Sequence, residues 1–163
     1  MNRQIRKMSV TAPTTLSPAQ AARQERLSLL AKADPAELTA LWAGTGLAPA
    51  HADLRPPEIG TMMVRGRAGA VGAAFNLGEM TVTRCTLRLD GGAVGHGTVQ
   101  GRNKGAARIV ALIDALFEAG EGAALEDGVL APLRATAEAR RETRARKAAA
   151  TRVEFFTMVR GEG

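Results

Sequence analysis

The stretch Glu79–Leu89, EMTVTRCTLRL, runs directly into Asp90-Gly91-Gly92, and this junction constrains the fold more than any other part of the chain. Side chains of an extended strand alternate between faces. Thr81, Thr83, Cys85, Leu87 and Leu89 therefore share one face, and Met80, Val82, Arg84, Thr86 and Arg88 share the other. The first set turns apolar towards Leu89, which marks it as the face that meets a core and places Thr81 and Thr83 at the core margin. Glycine accepts the positive φ of a tight hairpin turn, so Asp90-Gly91-Gly92 predicts an antiparallel return over Ala93 to Gln100. Gly95 and Gly97 in that return strand point to a bulge or to close approach by another backbone.

The rest of the chain supplies layers for this hairpin. Ser17-Pro18 is a cap followed by proline at the first helical position, and the helix it opens carries Ala22, Leu27, Leu30 and Ala31. Asp34-Pro35-Ala36-Glu37 has capping-box spacing and starts a second short helix bearing Leu38, Leu41 and Trp42, which stops at Gly44 or Gly46. Pro56-Pro57 forbids helix, and Ile59 to Arg67 reads as a strand. Ala68 to Ala74 is a Gly-rich turn or loop. After Gly101-Arg102-Asn103, the spacing of Ala106, Ile109, Leu112, Ile113 and Leu116 predicts a helix from Lys104 to Ala119, ended by Gly120. GEGAALEDG reads as a link, and Pro132 to Thr151 is an Ala- and Arg-rich helix with little to bury.

These elements predict an α+β fold: a small antiparallel sheet flanked by N-terminal helices, a central helix and a long basic C-terminal helix. At 163 residues the chain suits one domain. Residues 1–16 read as a flexible basic tail, and 17–163 as a single domain with a C-terminal helical arm from about 131. The tail has no apolar stretch of the kind a signal peptide needs. No apolar run approaches the roughly 20 residues that span a bilayer, so a cytoplasmic protein is expected. A single cysteine, Cys85, leaves no intrachain disulfide and agrees with a reducing compartment.

The charge balance points to anionic partners. The formal net charge is +6 and the pI about 10.6, which favours phosphates, nucleic acid or an acidic protein surface. Gly66 to Gly78 is glycine-rich but lacks GxxxxGK[ST] and a dinucleotide fingerprint, so turn geometry explains it better than a phosphate loop. Gly101 to Lys104 lies between a strand and a helix start, where amides and the helix dipole favour an anion. Arg84, Arg102 and Lys104 are thus candidate contacts to an anionic substrate, with plain solvation of both turn side chains as the simpler reading. Arg134, Arg140, Arg141, Arg144, Arg146, Lys147 and Arg152 outnumber Glu138 and Glu142 on the basic segment. That segment suits a nucleic-acid backbone in charge alone. The aromatics that stack single strands are missing, and no DNA-reading motif is present, so an acidic protein groove or solvation is the better account.

Nothing here composes a catalytic site. His51 and His96 stand far apart and outside any metal-spacing motif, and no hydroxyl or carboxylate accompanies them in a catalytic pattern. No catalytic or metal-ligating residue is assigned, and no cofactor is expected on this chain alone. The terminus RVEFFTMVRGEG concentrates Val153, Phe155, Phe156, Met158 and Val159 after a polar helix. Burying two Phe is worth on the order of 3–6 kcal/mol, either in the chain's own core or on a partner. Phe155, Phe156, Met158 and Val159, together with Glu79 and Arg88, are the candidate partner-facing residues.

FNLGEMTVTR (Phe75 to Arg84), GRNKGAARIVALIDAL and RVEFFTMVRGEG, taken in order with the tandem helices around DPAEL, closely resemble the PhnG family. This is the G subunit of the bacterial carbon–phosphorus lyase core complex, and the likeness covers nearly all of the chain beyond Thr15. The resemblance implies phosphonate catabolism, in association with the H, I and J subunits. It implies support for a transfer in which an alkylphosphonate oxygen displaces adenine from Mg-ATP, giving a ribose 1-phosphonate 5-triphosphate. Mg-ATP is then a substrate of the complex, and the radical iron–sulfur chemistry belongs to the J subunit, whose three-cysteine motif this chain lacks. The family offers no established catalytic residue to carry over. A non-catalytic subunit is the expectation, with a basic nucleic-acid-binding or general assembly protein as the alternative.

Overall fold

A computed structural model of the chain describes residues 15–69 and 72–151. Two capped helices open it. In α1 (Pro18–Leu30) the Ser17 hydroxyl accepts from the Gln20 amide while the Gln20 side chain accepts from the Ser17 amide; in α2 (Pro35–Gly44) the Asp34 carboxylate accepts from the Ala36 and Glu37 amides. These bonds satisfy amide donors that a helix start leaves unpaired.

The sheet has three antiparallel strands in the order β1 (His51–Arg67), β2 (Ala74–Leu89), β3 (Val94–Gln100). The register pairs Arg88 with Val94, Thr86 with His96 and Arg84 with Thr98, so the expected hairpin and its two faces are as the alternation predicts. Thr83, Cys85, Leu87 and Leu89 are buried, and the Thr83 hydroxyl donates to the Gly101 carbonyl at 2.8 Å. A hydroxyl at the core margin therefore closes the end of β3.

β1 and β2 are both longer than expected. β1 begins at His51 rather than Ile59, because the register shifts between Asp53 and Glu58 absorb Pro56-Pro57 in an extended edge strand. β2 begins at Ala74 rather than Glu79, so Phe75 to Gly78 belong to the sheet. β3 pairs only with Val82 to Arg88. Beyond that point β1 and β2 continue alone as a two-stranded ribbon, interrupted by a bulge at Leu77 opposite Val64–Arg65.

Helix α3 (Lys104–Glu118) packs across the Cys85/Leu87 face and is buried nearly all round: Ala106, Ala107 and Ile109 through Leu116 lose most or all of their exposure. The sheet covers one side of it and α1 and α2 pack against it from another; the C-terminal helical path packs in turn on α1 and α2. Two glycines allow the close fit. A Cβ on Gly95 would lie 2.0 Å from the Ala111 carbonyl oxygen, and one on Gly97 would lie 2.0 Å from that of Ala107. The sequence left open whether these glycines mark a bulge or a close approach; here they mark a close approach, matched by the small side chains of Ala107, Ala111 and Ala115.

The segment expected as a link is helical. A short turn α4 (Ala123–Leu125) leads through a π-turn, Glu126–Leu130, into α5 (Ala131–Ala150). Pro132 has no amide to continue the α-helical ladder to Gly128, and the wider turn accommodates that loss. Leu125, Val129, Leu130 and Leu133 bury from this stretch, whereas α5 is exposed from Glu138 onward. The sequence reading missed the helical turn because the glycines of GEGAALEDG suggest a loop, while its leucines and valine at helical spacing carry the burial. Residues 1–14 and 152–163, with Phe155, Phe156, Met158 and Val159, lie outside the described residues.

Candidate functional site

Three surface features are candidates, and the sheet positions two of them. The first is its outer face, opposite α3, on which no described helix packs. Register places Glu58, Arg84 and Thr98 in one row, Arg55, Thr86 and His96 in the next, and Ala52, Arg88 and Val94 in the third. Arg55 and Arg84 share the Glu58 carboxylate: Arg55 pairs with it closely, while Arg84 Nη2 stands 3.9 Å away. The Arg84 guanidinium lies beside Gly60, where an added Cβ would be 3.2 Å from Nη2, and its Nε is buried without a hydrogen-bond partner. His96 Nδ1 is 3.2 Å from the Thr86 hydroxyl.

The second feature is the turn before α3. Arg102 and Lys104 are exposed there, but the Asn103 side chain already accepts from the Ala106 amide at 2.8 Å. The amide that would welcome an anion is thus partly spoken for by the helix's own cap. Arg102 and Lys104 follow the end of β3 at Gln100, whereas Arg84 pairs with Thr98 within the sheet.

The third feature is the ribbon. Met62, Met63, Phe75 and Leu77 are all exposed on it, Leu77 to 66% and Met63 to 49%; Ile59, opposite Thr83, is exposed just short of it. β1 is a sheet edge along its length, and β2 is unpaired on its outer side from Ala74 to Met80. Glu79 pairs with Met63 on this ribbon, on the face continuous with Cys85; Arg88 sits on the other face, nine positions away, about 30 Å at strand rise. The two residues do not form one surface.

Behind the site lies a buried ionic knot absent from the sequence reading. Asp114 on α3 is fully buried; Arg23 of α1 holds it with Nε–Oδ1 at 3.0 Å and Nη2–Oδ2 at 2.7 Å, and the His96 amide donates to Oδ2 at 2.9 Å. Arg26 Nη2 stands 3.8 Å from the same carboxylate, and the Arg26 guanidinium stacks 3.9 Å over the Phe117 ring. The bond to Asp114 raises the Arg23 pKa, while burial lowers that of Arg26. The signal was an aspartate within the apolar run IVALIDAL, a position that demands a cationic partner.

Two further places carry no site chemistry. A cleft of about 400 Å³ between α1, α2 and α5 has Leu29, Ala33, Leu133 and Ala137 in its walls. Within it Glu37 meets Thr136 and Arg140, and Glu138 meets Arg141, while Arg134 turns to Glu126 and Arg26 to Asp114 outside it. Cys85 is buried against α3, and burial pushes its thiol pKa up. Native protein should therefore resist alkylation by iodoacetamide at pH 8, with one equivalent incorporated only after denaturation, as read by intact mass. Among the described residues no group of three or more His, Cys, Asp or Glu side chains is arranged to hold a metal ion, and no helix is long and apolar enough to cross a membrane.

The model of the family described as phosphonate metabolism protein PhnG matches residues 21–161. The chain belongs to the PhnG family. A relative from Rhizobium meliloti (strain 1021), named alpha-D-ribose 1-methylphosphonate 5-triphosphate synthase subunit PhnG, is 43% identical over 155 residues, which is 95% of this chain and 99% of the relative. The match to the PhnG family spans all three candidate features, since the ribbon, the outer sheet face and the turn before α3 fall within residues 21–161.

Proposed function

We infer that this chain is a subunit of the carbon–phosphorus lyase core assembly, acting in the cytoplasm in phosphonate catabolism. It supports transfer of ribose 5-triphosphate from ATP to an alkylphosphonate with release of adenine, and is not catalytic by itself. The observation that carries the reading is the ribbon. A two-stranded hairpin is marginal in water alone, and an exposed run of large apolar side chains with open strand edges marks a surface built to be covered. Its occupant is another subunit of the synthase, as the name of the 43% identical relative supports. The H, I and J subunits are the expected partners and Mg-ATP the nucleotide substrate of the assembly.

Co-expression with those subunits, with purification through a tag on this chain, tests the reading. The wild-type chain should bring the other subunits with it, and the purified assembly should release adenine from Mg-ATP and methylphosphonate. Recovery of this chain free of the other subunits from that co-expression would sink the proposal. The pair Met63→Glu and Leu77→Glu should abolish co-purification. Both side chains are about half or more exposed, so thermal stability of the isolated chain should move by no more than about 2–4 °C, within the range of roughly 1 kcal/mol for a domain of this size.

A further inference from the structure

We propose that the outer face of the sheet is a binding site for an oligophosphate anion, held along the strip Arg84–Thr86–Arg88 with Arg55, His96 and Thr98 beside it. The inference deepens the proposed function and rests on it for the identity of the natural ligand, the triphosphate chain of a nucleotide or of its ribosyl product. The site itself rests on the face alone.

Three arginines project from this face and one carboxylate, Glu58, answers them. Glu58 is engaged closely by Arg55 and only loosely by Arg84, and Arg88 makes no ion pair among the described residues. Positive charge is therefore in excess on a face that no described helix shields. Arg84 keeps donor capacity at its guanidinium tip, since Nη2 meets Glu58 only at 3.9 Å. A planar guanidinium with free donors suits the paired oxygens of a phosphoryl group.

The spacing fits more than one phosphoryl group. Residues on one strand face recur every second position, so Arg84, Thr86 and Arg88 cover roughly 13 Å. Arg55 and His96 flank Thr86 across the neighbouring strands. A row of cations with hydroxyl donors between them matches a chain of linked anionic groups better than a single one. Gly60 belongs to the same design. A side chain there would press on Arg84 Nη2, which stands 3.2 Å from the position a Cβ would take. The turn residues Arg102 and Lys104 lie past the end of β3 and outside the strip.

Calorimetric titration of the full chain with inorganic tripolyphosphate at low salt tests this, with inorganic phosphate and methylphosphonate as further ligands. Saturable binding of tripolyphosphate is expected, with the two single-group anions at least about tenfold weaker. Arg84→Ala and Arg88→Ala should each weaken binding about tenfold, the size of one lost charge-assisted contact. Arg141→Ala, which removes the same charge from the exposed part of α5, should change it less than twofold. Equal losses in all three variants would reduce the effect to net charge and overturn the site, as would absence of saturable binding. Arg88 is exposed, so Arg88→Ala keeps the test open if Arg84→Ala impairs folding. Co-purification of the other subunits with Arg88→Ala should persist. Its persistence alongside a failed titration would reject the anion site and leave the assembly role standing.

Discussion

Gly97→Ala should cost about 3–5 kcal/mol or prevent folding, although it adds one methyl group. The new Cβ would stand 2.0 Å from the Ala107 carbonyl oxygen and 2.8 Å from the Ala111 amide nitrogen. Neither is a side chain that can swing away. Relief requires α3 to lift from β3, and α3 is the helix on which the sheet, α1 and α2 all pack. Overpacking of a core ordinarily costs about 1–3 kcal/mol, and contact with fixed backbone belongs at or beyond the upper end. In a domain of this size the loss corresponds to a fall in Tm of about 6–20 °C. Gly95→Ala should behave alike, since its Cβ meets Ala111 and Ala115 backbone at 2.0 and 2.5 Å. Gly91→Ala is the control: no atom lies within 4 Å of its Cβ, and it should melt within a few degrees of wild type. Thermal melts followed by circular dichroism decide the matter. A Gly97→Ala protein as stable as the Gly91→Ala protein would show that the helix is not held where the structure places it.

The same glycines show how much was legible from sequence. Alternation along Glu79–Leu89 and the Asp90-Gly91-Gly92 turn specified the central hairpin and its faces, because period-two burial leaves a direct trace in residue type. The periodic stripe of α3 was equally plain. What escaped were features whose signal is spread over distant positions. The true length of β1 and β2 depends on ladder bonds formed across the Gly-rich turn, and Pro56-Pro57 masked an edge strand that tolerates prolines through register shifts. The helical path through GEGAALEDG is stabilised by Leu125, Val129 and Leu130 against the core, a tertiary effect that outweighs local glycine propensity. In the candidate site, Arg84 and Arg88 were placed correctly on the face away from the core. Their company could not be read, since Arg55, Glu58 and His96 reach the strip only through strand pairing.

Asp114→Ala should destabilise the fold by about 3–5 kcal/mol, because it strands charge rather than merely deleting a contact. The carboxylate is fully buried and accepts two bonds from Arg23 and one from the His96 amide, with Arg26 at 3.8 Å. Without it, the Arg26 side chain, 11% exposed, loses its nearest anion. Arg23, at 31% exposure, reaches water more easily, so much of the penalty falls on Arg26 and on the orphaned amide. Asp114→Asn separates charge from shape: its oxygen still accepts the His96 amide, so the loss should be smaller than for alanine but remain above about 1 kcal/mol. Replacing both partners, as in Arg23→Met with Asp114→Leu, should cost less than the sum of the single losses, since the pair's desolvation penalty disappears with it. Urea unfolding of wild type, Asp114→Ala, Asp114→Asn, the double variant and its two component single variants, Arg23→Met and Asp114→Leu, gives these differences directly. If Asp114→Ala and Asp114→Asn each lie within about 0.5 kcal/mol of wild type, the knot contributes no net stability and its role in holding β3 to α3 and α1 is lost. A large loss for alanine with partial recovery in the double variant would instead tie the backbone of His96, and with it the strip on the outer face, to the first helix of the chain.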